Sequence, residues 1–182
     1  MRGMLLVAIA LAGVLAQGQL AAASSAGRCG GGGGQKTKTL TCPKGQYIVG
    51  VAARGGAFVD EISVACQKIP TSGEPGPRGA FRSAGTGGGT DARSGFCRAA
   101  QAVMELSTKG GAYLDRVKVA SCNPRRNTGA WETVGINSSV SLNIGGLGGT
   151  DCTIECPAGE ALYELTVKYG GWIDSIRGQC RQ

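Results

Sequence analysis

Residues 145–180 read GGLGGTDCTIECPAGEALYELTVKYGGWIDSIRGQC, and this stretch decides how the whole chain is interpreted. It begins with a glycine cluster, passes through Cys156, continues as the alternating segment ALYELTVK and turns at GGWID. The same order of features occurs twice more upstream, after the glycine clusters at residues 30–34 and 85–89. We interpret the chain as three copies of one repeat. The copies span about residues 29–68, 85–123 and 145–182.

The segment ALYELTVK has the two-residue period of a β-strand with one buried face. In an extended chain Leu165 and Val167 would face one way, and Glu164 and Thr166 the other. The paired glycines that follow supply a turn, so each copy predicts a β-hairpin. No window shows a helical period with capping residues, and the predicted class is therefore all-β. Because one hairpin cannot bury its own apolar face, three small sheets around a common axis are expected.

The segments between the copies differ in composition from the hairpins. Residues 69–81 and 123–131 are rich in proline and glycine, which predicts connections on the surface. Short alternating runs such as residues 140–144, VSLNI, predict outer strands that extend each hairpin into a sheet.

The N-terminal segment has the pattern of a secretory signal. It carries Arg2, an apolar run over residues 5–16 and the small-residue stretch AAASSAG, with cleavage predicted after Ala23 or Ala26. The apolar run is short of the ~20 residues that cross a bilayer, so no membrane insertion is expected. We take residues 1–26 as the signal and residues 27–182 as one secreted, extracellular domain.

Eight cysteines in an exported chain indicate four disulfides. In each copy one cysteine precedes the hairpin and another ends it, so each such pair is expected to lie side by side across the strands. The leftover pair would clasp the N-terminal region to the last copy. The predicted bridges are Cys42–Cys66, Cys97–Cys122, Cys156–Cys180 and Cys29–Cys152.

Composition argues against several classes of function. The chain has no histidine, which removes the Ser/His/Asp and Cys/His catalytic arrangements. The carboxylate pairs Asp151 with Glu155 and Glu160 with Glu164 have no accompanying catalytic motif and are interpreted as solvated charges. Cysteine spacing does not suit zinc, and no enzyme activity, metal or cofactor is expected. The formal net charge is +7, but the sequence contains no run of basic residues interleaved with aromatic residues. Nucleic acid is therefore not an expected partner.

The hairpin tips carry a more specific signal. Each tip combines glycines, an aromatic residue and an aspartate, in GGAFVD, GGAYLD and GGWID. Glycine lets backbone N–H groups approach a ligand, a carboxylate accepts hydrogen bonds from two sugar hydroxyls, and an aromatic ring offers an apolar wall. These are the components of a monosaccharide site. The alternative is that each tip is a tight turn in which the aspartate caps backbone N–H groups and the aromatic fills the end of the fold.

The motifs GGLGGTD and GGWIDSI resemble the GGxGG and GxxxD loops of the jacalin-related lectins, and the likeness covers nearly the whole chain after the signal. The resemblance implies a β-prism I fold of three Greek-key sheets with pseudo-threefold symmetry. It also implies up to three sites for mannose-type or related glycans, in which a glycine loop meets an aspartate: Gly34 with Asp174, Gly89 with Asp60, and Gly149 with Asp115. Beside these aspartates the resemblance places Trp172, Phe58 and Tyr113. Expected partners are glycans or a cell-surface or cell-wall polysaccharide.

The cysteine scheme is also similar to that of the vitelline membrane outer layer proteins, which share the β-prism. That resemblance implies a different function, a structural coat or matrix protein without specific sugar sites. The sequence leaves the preferred sugar and the oligomeric state open.

Overall fold

The computed structural model describes residues 23–133 and 135–182. These residues form twelve β-strands and no helix, so no helical segment that could span a membrane is found among them. The predicted signal lies outside the described residues except for residues 23–26, of which Ser24, Ser25 and Ala26 begin the first strand. The strands are β1 (Ser24–Gly30), β2 (Lys36–Thr41), β3 (Gln46–Gly55), β4 (Val59–Lys68), β5 (Arg82–Gly85), β6 (Asp91–Phe96), β7 (Gln101–Gly110), β8 (Leu114–Pro124), β9 (Ser138–Gly145), β10 (Thr150–Glu155), β11 (Ala161–Tyr169) and β12 (Ile173–Arg181).

The strands form three four-stranded antiparallel sheets with the same internal arrangement. We name them sheet A (order β1-β12-β11-β2), sheet B (β5-β4-β3-β6) and sheet C (β10-β7-β8-β9). Each has a central hairpin with an outer strand on either side, and the fourth strand returns to lie beside the first, which is a Greek key. The predicted all-β class, the three sheets and the outer strand over residues 140–144 are confirmed.

Sheet A joins the two ends of the chain. Its hairpin is β11 and β12, and its outer strands β1 and β2 come from the N-terminal region. The strand after each glycine cluster pairs with the hairpin before it in this cyclic order: β6 pairs with β3, β10 with β7, and β2 with β11. Each sequence copy therefore contributes its glycine cluster to one sheet and its hairpin to the next.

The four disulfides have the predicted partners: Cys29–Cys152, Cys42–Cys66, Cys97–Cys122 and Cys156–Cys180. For the three pairs that flank the hairpins, the expected location across the two strands of one hairpin is wrong. Cys97, for example, directly follows β6 of sheet B, whereas Cys122 lies in β8 of sheet C. Since the outer strand before each first cysteine belongs to the preceding sheet, the three equivalent bridges link A to B, B to C and C to A.

The sheets enclose one main apolar core, to which all three contribute. Leu106 from sheet C, Ile62 from sheet B and Leu165 from sheet A are at most 1% exposed. The hairpin tips lie at one end of this core, which we call the tip end. The opposite end, where the hairpin strands β3, β7 and β11 begin, we call the base.

A second apolar cluster closes the base. It contains Tyr47 at the start of β3 and two residues from the connections that sequence analysis placed on the surface, Ile69 and Trp131. That expectation is wrong for these two side chains, which are 1% and 2% exposed. The rings of Tyr47 and Trp131 meet edge to face with centroids 4.8 Å apart. The connections are polar in composition, but their few apolar residues cover the open end of the core because that burial is favourable.

The bridge between sheets B and C gives the first prediction. Replacing Cys97 and Cys122 together by serine should lower the free energy of unfolding by about 3 kcal/mol, because the unfolded chain regains the freedom of a loop of about 25 residues. Urea denaturation of the oxidised protein measures this change. An unaltered urea midpoint would contradict a stabilising role for this bridge.

Candidate functional site

The three hairpin tips are local turns of one geometry. The N–H of Gly56 donates to Phe58 O over 3.0 Å, and the same bond joins Gly111 to Tyr113 and Gly170 to Trp172 over 2.9 Å each. These bonds align Gly170 with Gly56 and Gly111. Tyr169 therefore occupies the position that Gly55 and Gly110 hold in the other two tips. Matching the paired glycines of the three motifs would instead have aligned Gly170 with Gly55 and Gly110.

The aromatic residues of the tips converge on one another. The ring centroid of Phe58 lies 5.3 Å from that of Tyr113 and 5.1 Å from that of Trp172, and the last two are 5.4 Å apart. The sequence predicted one aromatic beside each aspartate. Instead the three rings form a common cluster at the centre of the tip end, so each ring serves the packing of all three tips as well as its own site.

A glycine loop lies against each tip aspartate. The first loop N–H donates to the aspartate's backbone carbonyl in all three: Gly31 to Asp174 over 2.8 Å, Thr86 to Asp60 over 3.0 Å and Gly146 to Asp115 over 2.9 Å. The structure thus brings together the same loops and aspartates that the resemblance implied.

The glycines of these loops pack against the aspartate side chains. A Cβ at Gly34 would lie 2.8 Å from Asp174 Oδ2, and one at Gly149 would lie 2.5 Å from Asp115 Oδ2. A Cβ at Gly88 would lie 3.1 Å from Asp60 Oδ1, and one at Gly148 would lie 2.7 Å from Asp115 Oδ1. Gly89 occupies the position equivalent to Gly149, since a Cβ there would meet the backbone of Gly55 at 2.6 Å as one at Gly149 would meet that of Gly110 at 2.9 Å.

The three carboxylates are recessed and have no hydrogen-bond partner in the part of the chain that the structure describes. Asp60, Asp115 and Asp174 are 9%, 8% and 5% exposed, and their side-chain oxygens accept no hydrogen bond from any residue that the structure describes. Buried polar groups are normally hydrogen-bonded. If the aspartates capped the turns, as in the alternative interpretation, these oxygens would accept hydrogen bonds from backbone N–H groups. Since no such bond is found among the described residues, the carboxylates can accept hydrogen bonds from a ligand.

Electrostatics distinguish the site at Asp60. Burial raises the pKa of its carboxyl above the ordinary value of 3.8, and the nearby Arg54 partly opposes that rise. The Arg54 guanidinium also donates a long hydrogen bond, 3.5 Å, to the carbonyl of Gly89 in the facing loop.

A cleft of about 510 Å³ opens beside Asp174. It is lined by Trp172, which is 41% exposed, by Tyr113 of the neighbouring tip, and by Asp174 and Gly34. Gln35 and Lys36 also line it, and sequence reasoning missed both. Their position directly after a glycine cluster was the signal that could have found them.

Each glycine loop also touches the tip of a second sheet. A Cβ on Gly31 would lie 2.2 Å from Ala112 O, and one on Gly146 would lie 2.3 Å from Ala57 O. The third loop has Thr86 at this position, and its hydroxyl donates to Gly171 O over 3.4 Å. The loop of sheet A thus reaches the tip of sheet C, the loop of sheet C reaches the tip of sheet B, and the loop of sheet B reaches the tip of sheet A. This cyclic contact makes the tip end a single rigid surface.

The steric cost of a side chain at Gly34 can be measured separately from the cost of its left-handed backbone. Both Gly34 and Gly45 have positive φ, 82° and 75°, but a Cβ on Gly45 meets nothing within 4 Å. Gly45→Ala should lower the free energy of unfolding by about 1 kcal/mol, the cost of left-handed backbone. Gly34→Ala should add about 1–3 kcal/mol for overpacking. Equal thermal shifts of the two variants would contradict the close contact between Gly34 and Asp174.

Comparison with known proteins bears on the fold. No family model and no curated protein matches the sequence. Malaysian banana lectin is similar in structure, with a TM-score of 0.62 and 16% identity over 87% of this chain and 98% of that one. A mannose binding jacalin related lectin from Ananas comosus has a TM-score of 0.58 and 11% identity over 88% and 97%. Artocarpin, solved in complex with mannopentose, has a TM-score of 0.62 and 10% identity over 87% and 97%. The chain has the β-prism fold of the jacalin-related lectins.

Proposed function

We propose that this protein is a lectin that binds glycans, without turnover, at the three tip aspartates. The observation that carries the proposal is the set of three recessed carboxylates, each without a hydrogen-bond partner among the described residues and each facing a glycine loop. A sugar hydroxyl pair can donate to such a carboxylate in charge-assisted hydrogen bonds. Because the facing loop has no side chains at the contact, the sugar can approach the backbone.

The site at Asp174 has the most complete set of components. Its cleft adds the exposed ring of Trp172 and the ring of Tyr113, which can cover the apolar face of a sugar. Gln35 and Lys36 supply further donors. The preferred ligands are mannose-type or related glycans, a choice supported by the mannose binding lectin and the mannopentose complex of the same fold. Asp60 and Asp115 would provide the second and third sites.

The arrangement favours dense glycan surfaces. All three aspartates lie at the tip end, which the interlocked loops hold as one body. Weak individual sugar sites on one rigid end gain effective affinity when several engage together. Cell-surface or cell-wall polysaccharide is therefore the proposed partner.

Export is part of the proposal. Four disulfides are typical of proteins that fold in an oxidising compartment. Ser24 and Ser25 pair with β12, and Ala26 is buried in the main core. Signal cleavage after Ala23, the earlier of the two predicted positions, would keep β1 whole.

Removing the carboxylate charge tests the lectin proposal. Asp174→Asn should weaken binding to mannose-type glycans at least tenfold, since a charge-assisted hydrogen bond contributes about 1.5–3 kcal/mol. The triple variant with Asp60→Asn and Asp115→Asn should abolish agglutination. Binding is measured on an array of neutral and acidic glycans, with Glu74→Gln as a control at an exposed acid of the same charge.

The alternative function is an outcome of the same experiment. A wild-type protein that binds no neutral glycan would contradict the lectin proposal. If the triple asparagine variant also lost stability in thermal unfolding, the aspartates would be structural turn residues, as expected of a coat or matrix protein of the vitelline membrane outer layer type.

The raised pKa of Asp60 gives a pH prediction for its site. In a protein that retains only Asp60, through Asp115→Asn and Asp174→Asn, glycan affinity should fall as acidification protonates this carboxyl, and the midpoint of the fall should lie above pH 3.8. Burial penalises the ionised form, so ionised Asp60 destabilises the fold at neutral pH and Asp60→Asn should raise the thermal midpoint. Titration of affinity against pH measures the first effect. A midpoint lowered by Asp60→Asn would contradict the second.

A further inference from the structure

The outer face of sheet A carries a row of basic side chains that the sugar sites do not use. Arg28 of β1 stands opposite Arg177 of β12, and Lys168 of β11 stands opposite Ser175 of β12. Together with Thr166 and other polar side chains they line a groove of about 300 Å³. Arg28 and Arg177 are exposed.

These three cations have no acidic partner. The ion pairs of the described residues are Lys118–Asp151 and Arg126–Glu132, both outside this face. The acid that sheet A offers nearby, Glu164, accepts a hydrogen bond of 2.6 Å from Thr41 and stands opposite Gln179, one row further along. Like charges directly opposite each other on a sheet are destabilising. An anionic ligand would relieve the repulsion between Arg28 and Arg177.

The corresponding positions of the other two sheets each include an acid. In sheet B, Arg54 occupies the position of Lys168, and the residue opposite it is Glu61. In sheet C, Lys109 occupies that position between Arg116 on β8 and Asp151 on β10, and Lys118 donates to Asp151 over 3.0 Å. Sheet A differs from both because no acid stands opposite Arg28, Lys168 or Arg177.

We propose that this face binds an acidic polysaccharide, through sulfate or carboxylate groups spaced along a linear chain. A guanidinium binds either group through two parallel hydrogen bonds, and the Lys168 ammonium supplies a third positive contact. The hydroxyl of Thr166 and the amide of Gln179 can hydrogen-bond sugar hydroxyls between the charges.

One feature favours a polysaccharide over a nucleic acid. The lining of the groove contains no aromatic ring on which a base could stack, a contact that single-stranded nucleic-acid sites use. The groove shares no lining residue with the cleft beside Asp174, so the acidic site binds independently of the aspartates.

Dextran sulfate, carboxymethyl dextran and uncharged dextran of one length provide the test, with the protein passed over each immobilised polymer at low salt. We expect binding to the acidic dextrans that exceeds binding to dextran at least tenfold. Lys168→Glu with Arg177→Glu should reduce it at least tenfold, and added salt should weaken the wild-type complex. Lys168→Gln with Arg177→Gln should give a smaller loss and serves if the glutamate variant does not fold.

The control variant is Lys44→Glu with Arg98→Glu, which makes the same change of net charge at exposed positions near the base. It should retain binding. Equal losses in both double variants would show attraction to net charge and would overturn the proposal, as would equal affinity for double-stranded DNA or failure to bind either acidic dextran. Asp174→Asn should leave binding to dextran sulfate unchanged, so failure of the lectin proposal and failure of this one give different results.

Discussion

The contact on which the tip end depends is the close approach of a glycine loop to a hairpin aspartate. At Gly30, Gly85 and Gly145 an added Cβ would lie 2.1–2.2 Å from the aspartate's backbone carbonyl, so no side chain fits at any of the three. This contact joins the outer strands to the hairpin, and it directs each carboxylate toward the loop. The fold and the proposed sugar sites therefore both require glycine in these loops. Substitution of a loop glycine should affect both stability and glycan binding.

Covalent links between the sheets lie mainly at the base, and the polar groups proposed to bind sugar lie at the tip end. Three equivalent disulfides link each sheet to the next, and the cluster around Tyr47 and Trp131 closes the core at the base. The fourth bridge, Cys29–Cys152, links sheets A and C nearer the tips. The tip aspartates are recessed and accept no hydrogen bond from the described residues. Polar groups held in this way on a rigid scaffold are typical of binding sites.

The three sheets share one backbone arrangement, but the side chains around their proposed sugar sites differ. Tyr169 replaces a glycine in the tip of sheet A, and the cleft beside Asp174 has aromatic walls from two tips. The site at Asp60 instead lies close to Arg54. No acid stands opposite Lys168 in sheet A, whereas Glu61 stands opposite Arg54 in sheet B and Asp151 stands opposite Lys109 in sheet C. Backbone geometry is shared because the glycines demand it, but side chains on the faces vary because the fold does not depend on them.

The sequence by itself determined what local periodicity and spacing encode. The two-residue alternation identified the hairpins, the glycines and aspartates identified their tips, and the order of the cysteines identified the four disulfide partners. Only the tertiary structure decided that each outer strand pairs with the preceding hairpin, which places the three equivalent bridges between sheets. It also decided that Phe58, Tyr113 and Trp172 share one cluster and that Ile69 and Trp131 are buried. These features depend on pairings between residues far apart in the chain, which no local pattern records.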